Sequence, residues 1–161
     1  MAGVGNVLRG DDGFGVIVAD RLMREPVPEG VRVIEVGIGG IHLVQELLDG
    51  FDALIVIDAL DVGRTPGTVV VSRPDVLDVA TLTPRERQDQ LADVHYATPE
   101  RAFMLARALD RLPSSTWVVG CQAADADRYG EGLSAPVAMA VDVALCEVRR
   151  LIAELGIAWT G

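Results

Sequence analysis

The chain has 161 residues, half of them hydrophobic, and a formal net charge of −10 at pH 7, which fits one compact domain over residues 1–161 with a sizeable core. The acidic balance argues against nucleic acid or an anionic membrane as a partner, because both demand basic protein surface. All 14 basic residues are arginine, so a Schiff-base lysine and the lysine of a P-loop are excluded.

The first half of the chain alternates between short apolar segments and helical ones. The first strand is short for an internal parallel strand, whereas Ala53–Ile57 is apolar throughout, as expected of a strand covered on both faces. Prolines stop the first helix and Gly50 ends the second. The expected elements are strand 1–4, helix 14–24, strand 31–36, a helix ending at residue 50, and strand 53–57.

The second half continues the alternation, with one segment that is hard to assign. Residues 72–95 are polar and contain two prolines, and we expect a surface excursion with a short helical turn. Thr98 and Pro99 suit the start of a helix, and Ser134 is expected to cap the last helix. The expected elements are strand 68–71, helix 99–110, strand 116–120, loop 121–132 and helix 135–155.

This alternation predicts an α/β fold: a single three-layer α/β/α domain around a mostly parallel, flavodoxin-like sheet of about five strands. In that strand order, strands one and three lie side by side, and their carboxyl ends open the crevice where such sheets bind ligands. Asp11 and Asp12 follow strand one, and Asp58 ends strand three. We therefore expect these carboxylates to meet in one crevice.

The loop at residues 3–15 resembles a phosphate loop in its glycines, but it ends in Asp11 and Asp12 just before the first helix. Two carboxylates would occupy the positive end of the helix dipole, where a phosphate would otherwise bind. The spacing Gly-x-Gly-x-x-Gly is absent as well. The loop therefore favours capping its own helix or holding a cation over binding a nucleotide.

Asp12 and Asp58 are candidate ligands of a cation, because two carboxylates at one crevice repel unless a cation or a shared proton intervenes. Taken alone, Asp58 could equally end a strand or cap a turn. His95, in the loop before the helix near Pro99, is a candidate third ligand, whereas His42 is expected to be structural. Two carboxylates and an imidazole suit Ni, Zn, Fe or Mn, and the sequence does not choose among them.

Several motifs together resemble the hydrogenase maturation proteases over essentially the whole chain, with residues 72–92 matching least well. The opening acidic motif is fairly specific, since it is not a feature of dinucleotide binders. The matching segments are Gly3-Val4-Gly5-Asn6, Gly10-Asp11-Asp12-Gly13-Phe14-Gly15, Ile57-Asp58-Ala59, His95 before a helix, Val119-Gly120, and Gly132-Leu133-Ser134 before the last helix.

The resemblance implies an endopeptidase that removes a short C-terminal extension from the large-subunit precursor of a nickel-iron hydrogenase once the metal centre has been inserted. It also implies that Asp12, Asp58 and His95 contact nickel already present in the precursor, and that no organic cofactor is needed. The family often has glutamate where this chain has Asp12. Aspartate is shorter by about one methylene, which would draw that ligand back by a distance that matters in catalysis.

The expected mechanism is metal-assisted peptide hydrolysis by Asp12, Asp58 and His95. The metal would polarise the scissile carbonyl or lower the pKa of a bound water, and a carboxylate would orient that water or take its proton. A precursor without its metal would lack the bridging cation, so its peptide would not be positioned for cleavage.

Other functions compete with this hypothesis. Cys121 at the end of the last strand could form a cysteine peptidase with His95 and Asp58, although small buried cysteines are common at such positions. A non-catalytic, chaperone-like module that recognises a metal centre is the main alternative. Asp11 is expected to be a helix cap or a group that supports the site, and Ser134 a cap rather than a nucleophile.

The two cysteines, Cys121 and Cys146, are too few and too far apart for a zinc ribbon or a disulfide framework, and are typical of reduced thiols. The N-terminus has no basic segment followed by an apolar one, and no apolar run reaches the roughly 18 residues of a membrane span. We expect a soluble, cytoplasmic monomer.

Overall fold

A computed structural model describes residues 1–38, 40–86 and 98–159. Five strands form one sheet in the order β2-β1-β3-β5-β4. Neighbouring strands are parallel except for the antiparallel pair of β4 and β5. The strands are β1 (Ala2–Val4), β2 (Ile34–Gly37), β3 (Ala53–Leu60), β4 (Val69–Ser72) and β5 (Ser115–Gln122).

Helices cover both faces of this sheet, which confirms the predicted three-layer α/β fold. They are α1 (Phe14–Met23), α2 (Gly40–Leu47), α3 (Pro99–Ala108) and α4 (Ala135–Glu154). Ile55 and Ile57 of β3 pack with residues of α1 and α4, whereas Leu54 and Val56 pack with residues of α2 and α3. The apolar run in β3 is continuous because its side chains enter a core on each side of the sheet.

A strand is longer than expected where its hydrogen bonding to the neighbouring strand continues past the apolar residues. β1 is as short as predicted, and it pairs with both neighbours, so that Ala2 lies opposite Ile34 and Val56. β3 does not end at Asp58: Asp58 lies opposite Gly120, and the pairing continues to Leu60 opposite Gln122. These last pairs are held by backbone hydrogen bonds, which the hydrophobic pattern of the side chains does not predict.

The amino end of α1 lies directly on the ends of β1 and β3 because glycine leaves room for it. A Cβ added at Gly15 would be 2.0 Å from the Ile57 carbonyl oxygen and 2.4 Å from that of Val4. A Cβ added at Gly3 would likewise be 2.3 Å from the carbonyl oxygen of Gly15. The helix that follows Asp12 is thereby fixed over the strand that carries Asp58.

Within the three described ranges, no helix combines the length and the apolar character that crossing a bilayer requires.

Candidate active site

The loop after β1 folds so tightly that its glycines decide where Asp12 lies. Gly5 has a φ of +127°, and a Cβ there would be 1.8 Å from the carbonyl oxygen of Asp12. The Asn6 N–H donates to Asp12 Oδ2 at 2.9 Å, and Gly10–Gly13 form a 3₁₀ turn that leads into α1. The loop therefore holds the Asp12 carboxylate at the carboxyl end of β1.

Asp11 is not a cap of its own helix, which corrects one of the two roles expected for it. Its side chain is 1% exposed and accepts hydrogen bonds from the N–H groups of Ala124 at 2.9 Å, Asp125 at 3.1 Å and Ser134 at 2.6 Å. The Ser134 hydroxyl donates a fourth bond at 2.9 Å. Burial opposes ionisation of Asp11, but these donors outweigh it and lower its pKa.

Ser134 stands at the amino end of α4 as predicted, but the prediction that its side chain caps the helix is wrong. No capping hydrogen bond is formed by that side chain, because its hydroxyl donates to Asp11 instead. Asp11 and Ser134 thus join the loop after β1 to the start of α4.

Asp58 is the most perturbed carboxyl at this edge of the sheet, with a pKa raised to about 7. Burial is the largest cause, and the negative charges of Asp12 and Glu100 add to it, while the Ala59 N–H, 2.8 Å from Asp58 Oδ1, acts in the opposite direction. The effect of the Asp12 charge agrees with the strand order, in which β1, the strand before Asp12, lies next to β3, the strand that carries Asp58.

The pKa of Asp12 is raised as well. Burial is again the largest cause, the Asn6 N–H and the Arg9 guanidinium oppose it, and the carboxylate of Asp127 adds to it. Two carboxyls with raised pKa values at one crevice are typical of a functional site.

Glu100, in the first turn of α3, is an acid of this site that the sequence interpretation missed. Acidic residues are common in the first turn of any helix because the dipole favours them there, so its position in the sequence gave no separate signal. Only the packing of α3 against the sheet brings its charge to Asp58.

The predicted third ligand, His95, lies outside the described residues, and its role stays a prediction. Across residues 1–38, 40–86 and 98–159, no group of three or more His, Cys, Asp or Glu side chains is arranged to hold a metal ion. His42 lies on α2 with its Nε2 3.6 Å from Glu46 Oε1, on the protein surface.

Cys121 is unsuited to nucleophilic chemistry. Its side chain is completely buried in the core between the sheet, α1 and α4. Burial and the nearby charge of Asp11 raise its pKa to about 11, although a hydrogen bond from the Gly67 backbone acts against them. Since the thiolate is the nucleophile, the structure argues against the cysteine-peptidase alternative.

A cavity of about 570 Å³ opens at the carboxyl ends of β3 and β5; its lining includes Asp61, Gln122 and Asp127, but neither Asp12 nor Asp58. The buried Gln122 side chain holds its wall: Gln122 Oε1 accepts from the N–H groups of Val62 at 2.9 Å and Arg64 at 3.1 Å. Gln122 Nε2 donates to Asp61 Oδ1 at 3.2 Å and to the Ala123 carbonyl at 3.0 Å. The size of this cavity is typical of ligand sites.

A mostly parallel sheet with perturbed carboxyls and an open cavity at its carboxyl edge defines an α/β enzyme with an acidic active-site crevice. Comparison with known proteins specifies this class further. The family model for HycI, hydrogenase maturation protease, matches residues 16–150, and the chain belongs to the hydrogenase maturation protease family.

Individual relatives agree with this assignment. The hydrogenase expression/formation protein HupD of Rhodobacter capsulatus is 34% identical over 98% of this chain and 72% of its own length. HupM of Azotobacter chroococcum mcd 1 is 35% identical over the same shares of both chains. The solved structure of the hydrogenase maturating endopeptidase HybD from E. coli matches with a TM-score of 0.76 and 26% identity, over 98% of this chain and 93% of that one. The protein is therefore an enzyme of the peptidase class.

Proposed function

We propose that this peptidase removes the C-terminal extension of a nickel-iron hydrogenase large-subunit precursor after the metal has been inserted. The observation that carries the proposal is the pair of Asp12, in the loop after β1, and Asp58, on the neighbouring strand β3: both have raised pKa values, mainly through burial, and the charge of Asp12 adds to the rise at Asp58. The family and the matched endopeptidase support the reaction class, and this carboxylate pair supplies groups suited to it.

Asp58 is suited to proton transfer near neutral pH. In the free protein, a carboxyl with a pKa of about 7 exists in both protonation states there, and a cation beside it would favour the carboxylate, the form that accepts a proton from water. In the proposed reaction, Asp58 orients the attacking water or takes its proton. The Ala59 N–H holds one carboxylate oxygen, so the other can face the substrate.

Nickel belongs to the substrate in this proposal and arrives with the precursor. Oxygen and nitrogen ligands from Asp12, Asp58 and His95 suit such an ion, and a cation between Asp12 and Asp58 would relieve their repulsion. The ion thereby aligns the scissile peptide with Asp58. A precursor without nickel lacks this bridge, so we expect it to stay uncut.

Mass spectrometry of a hydrogenase large subunit co-expressed with the protein tests this function. We expect a C-terminal mass loss that requires both the protein and nickel. Asp58→Asn and His95→Ala should each slow cleavage by about 100-fold or more, since they remove a proton-transfer group or a ligand.

Two control substitutions match these changes in chemistry. Asp52→Asn changes the exposed aspartate before β3, and His42→Ala changes the surface histidine of α2; both should cleave at the parent rate. A metal-loaded precursor that binds the protein and keeps its full mass would contradict the proposal and favour the metal-recognising chaperone. The cytoplasmic location and the monomeric state stay predictions.

A further inference from the structure

Two exposed apolar side chains stand on a ridge beside the crevice. Leu8 is 56% exposed and Tyr129 is 89% exposed. Their segments are joined by backbone hydrogen bonds, from the Gly130 N–H to the Leu8 carbonyl at 2.9 Å and from the Gly10 N–H to the Gly130 carbonyl at 3.0 Å. We refer to residues 7–10 with 129–130 as the ridge.

The ridge is tied to the catalytic carboxylate. The Asp12 N–H donates to the Arg9 carbonyl at 3.2 Å, and the Arg9 N–H donates to the Asn6 carbonyl at 3.0 Å. The guanidinium of Arg9 also pairs with Asp127 at 2.5 Å. These contacts join the backbone of the ridge to the turn that carries Asp12.

We propose that the ridge is a docking surface for the folded body of the hydrogenase precursor, an inference that rests on the proposed function. A protein that places its peptide bond over Asp12 contacts residues 7–10 as well, because these residues lead directly into the 3₁₀ turn that contains Asp12. Exposed tyrosines are frequent anchors of protein interfaces.

The shape and charge of the ridge favour the folded body over the extension. A tyrosine that is 89% exposed projects from the surface, and a projection fits a concavity on a folded partner, whereas an extended peptide needs a groove. Arg9 and Asp127 neutralise each other, so covering the ridge leaves no unpaired charge from this pair.

Binding of a purified hydrogenase large subunit, measured by calorimetry with and without its extension, tests the ridge. The double variant Leu8→Ser/Tyr129→Ser should bind both forms about tenfold more weakly than the parent does, as expected on losing an apolar anchor. The matched control is Met139→Ser/Val143→Ser on α4, whose side chains are 72% and 51% exposed. This control should bind as the parent does, and thermal unfolding should show that both variants fold.

Each outcome decides between the alternatives. Equal binding by the ridge variant and the parent overturns the proposal, and so does equal weakening by the α4 variant. If the ridge variant loses affinity only for the form that carries the extension, the ridge contacts the extension and the proposed occupant is wrong. Binding is measured with nickel-free precursor, which is expected to stay uncut, and a nickel-loaded precursor that docks on the ridge but is never shortened refutes the proposed function alone.

Discussion

At the scale of single residues, two adjacent carboxylates have opposite tasks. The pKa of Asp11 is lowered, because its donors outweigh its burial, and its oxygens are occupied by the loop after β5 and by Ser134. The pKa of Asp12 is raised, and it faces a crevice that contains Asp58. In the proposed mechanism Asp11 is thus a positioning residue, whereas Asp12 contacts the substrate's metal.

Replacing Asp11 with asparagine should therefore be costly although the two side chains have nearly the same shape. The amide nitrogen of Asp11→Asn would face N–H donors, so we expect a loss of about 2 kcal/mol in the free energy of unfolding. Ser134→Ala removes only one of the four donors and should cost about 1 kcal/mol. Urea unfolding at neutral pH measures both.

The same variants distinguish positioning from a direct role in catalysis. Asp11→Asn should lower kcat with little change in KM, since Asp12 loses its alignment, and Ser134→Thr, which keeps the hydroxyl, should retain more stability and kcat than Ser134→Ala. Unchanged stability and kcat in Asp11→Asn would show that the four hydrogen bonds have no positioning role.

The sequence indicates where Asp12 and Asp58 lie in the fold, but not which groups contact Asp11. Asp12 comes after the short strand β1, and Asp58 lies within β3 at the end of its apolar run; because β1 and β3 are neighbours, the strand order implies that the two side chains approach each other. Asp11 has the same chemistry and neighbourhood as Asp12, so only the fold shows that its donors come from residues more than 110 positions away. The sequence around Gln122 and Glu100 does not distinguish them from other residues at the end of a strand or the start of a helix.

At the scale of elements, the contact of α1 with β1 and β3 depends on Gly15. A Cβ at this position would overlap the backbone of Ile57 and Val4, and backbone atoms cannot yield as a flexible side chain can. Gly15→Ala should therefore push α1 outwards and cost about 3 kcal/mol, at the upper end of overpacking effects. Asp12 should move with the helix, so kcat should fall.

Gly50→Ala is the matched comparison for this substitution. Gly50 has a φ of +81° and nothing within 4 Å of an added Cβ, so its cost should be limited to backbone strain of about 1 kcal/mol. Thermal and chemical unfolding of the two variants gives the difference. Equal costs would mean that the tight approach of α1 to the sheet has no special energetic weight.

The elements themselves were predictable to different degrees. The run Ala53–Ile57 predicted the central strand because both faces of β3 are buried. Its continuation to Leu60 depends on pairing with Gly120–Gln122, which is a property of two segments together. The antiparallel direction of β4 was likewise not evident from its own valines, since direction is set by the partner strand.

At the scale of the whole molecule, the shifted carboxyls set how stability depends on pH. Because the pKa of Asp58 is about 7 when folded and about 3.9 when unfolded, the folded chain binds more protons between these values. The contribution of Asp58 to the free energy of unfolding is therefore present in acid and is lost as the pH rises through 7. The pKa of Asp11 is lowered, so its effect on stability has the opposite pH dependence. The contribution of Asp11 is lost in acid, as the pH falls through its folded pKa.

Asp58→Asn should consequently stabilise the metal-free protein in neutral and alkaline buffer while impairing its reaction. The gain in the free energy of unfolding should reach roughly 4 kcal/mol at about pH 8 and vanish near pH 4. Denaturant unfolding with a chelator present, across this range, measures it against Asp52→Asn as the control. A difference that does not change with pH would rule out titration of Asp58 as its cause.

The Gln122 side chain fastens both loops that wall the cavity beside the crevice, through bonds to Val62, Arg64 and Ala123. If the substrate polypeptide of the proposed function enters this cavity, it meets walls that are already formed, and little ordering of these loops has to accompany binding. Selection of a substrate at this wall would then depend on how well the polypeptide fits the existing shape of the cavity.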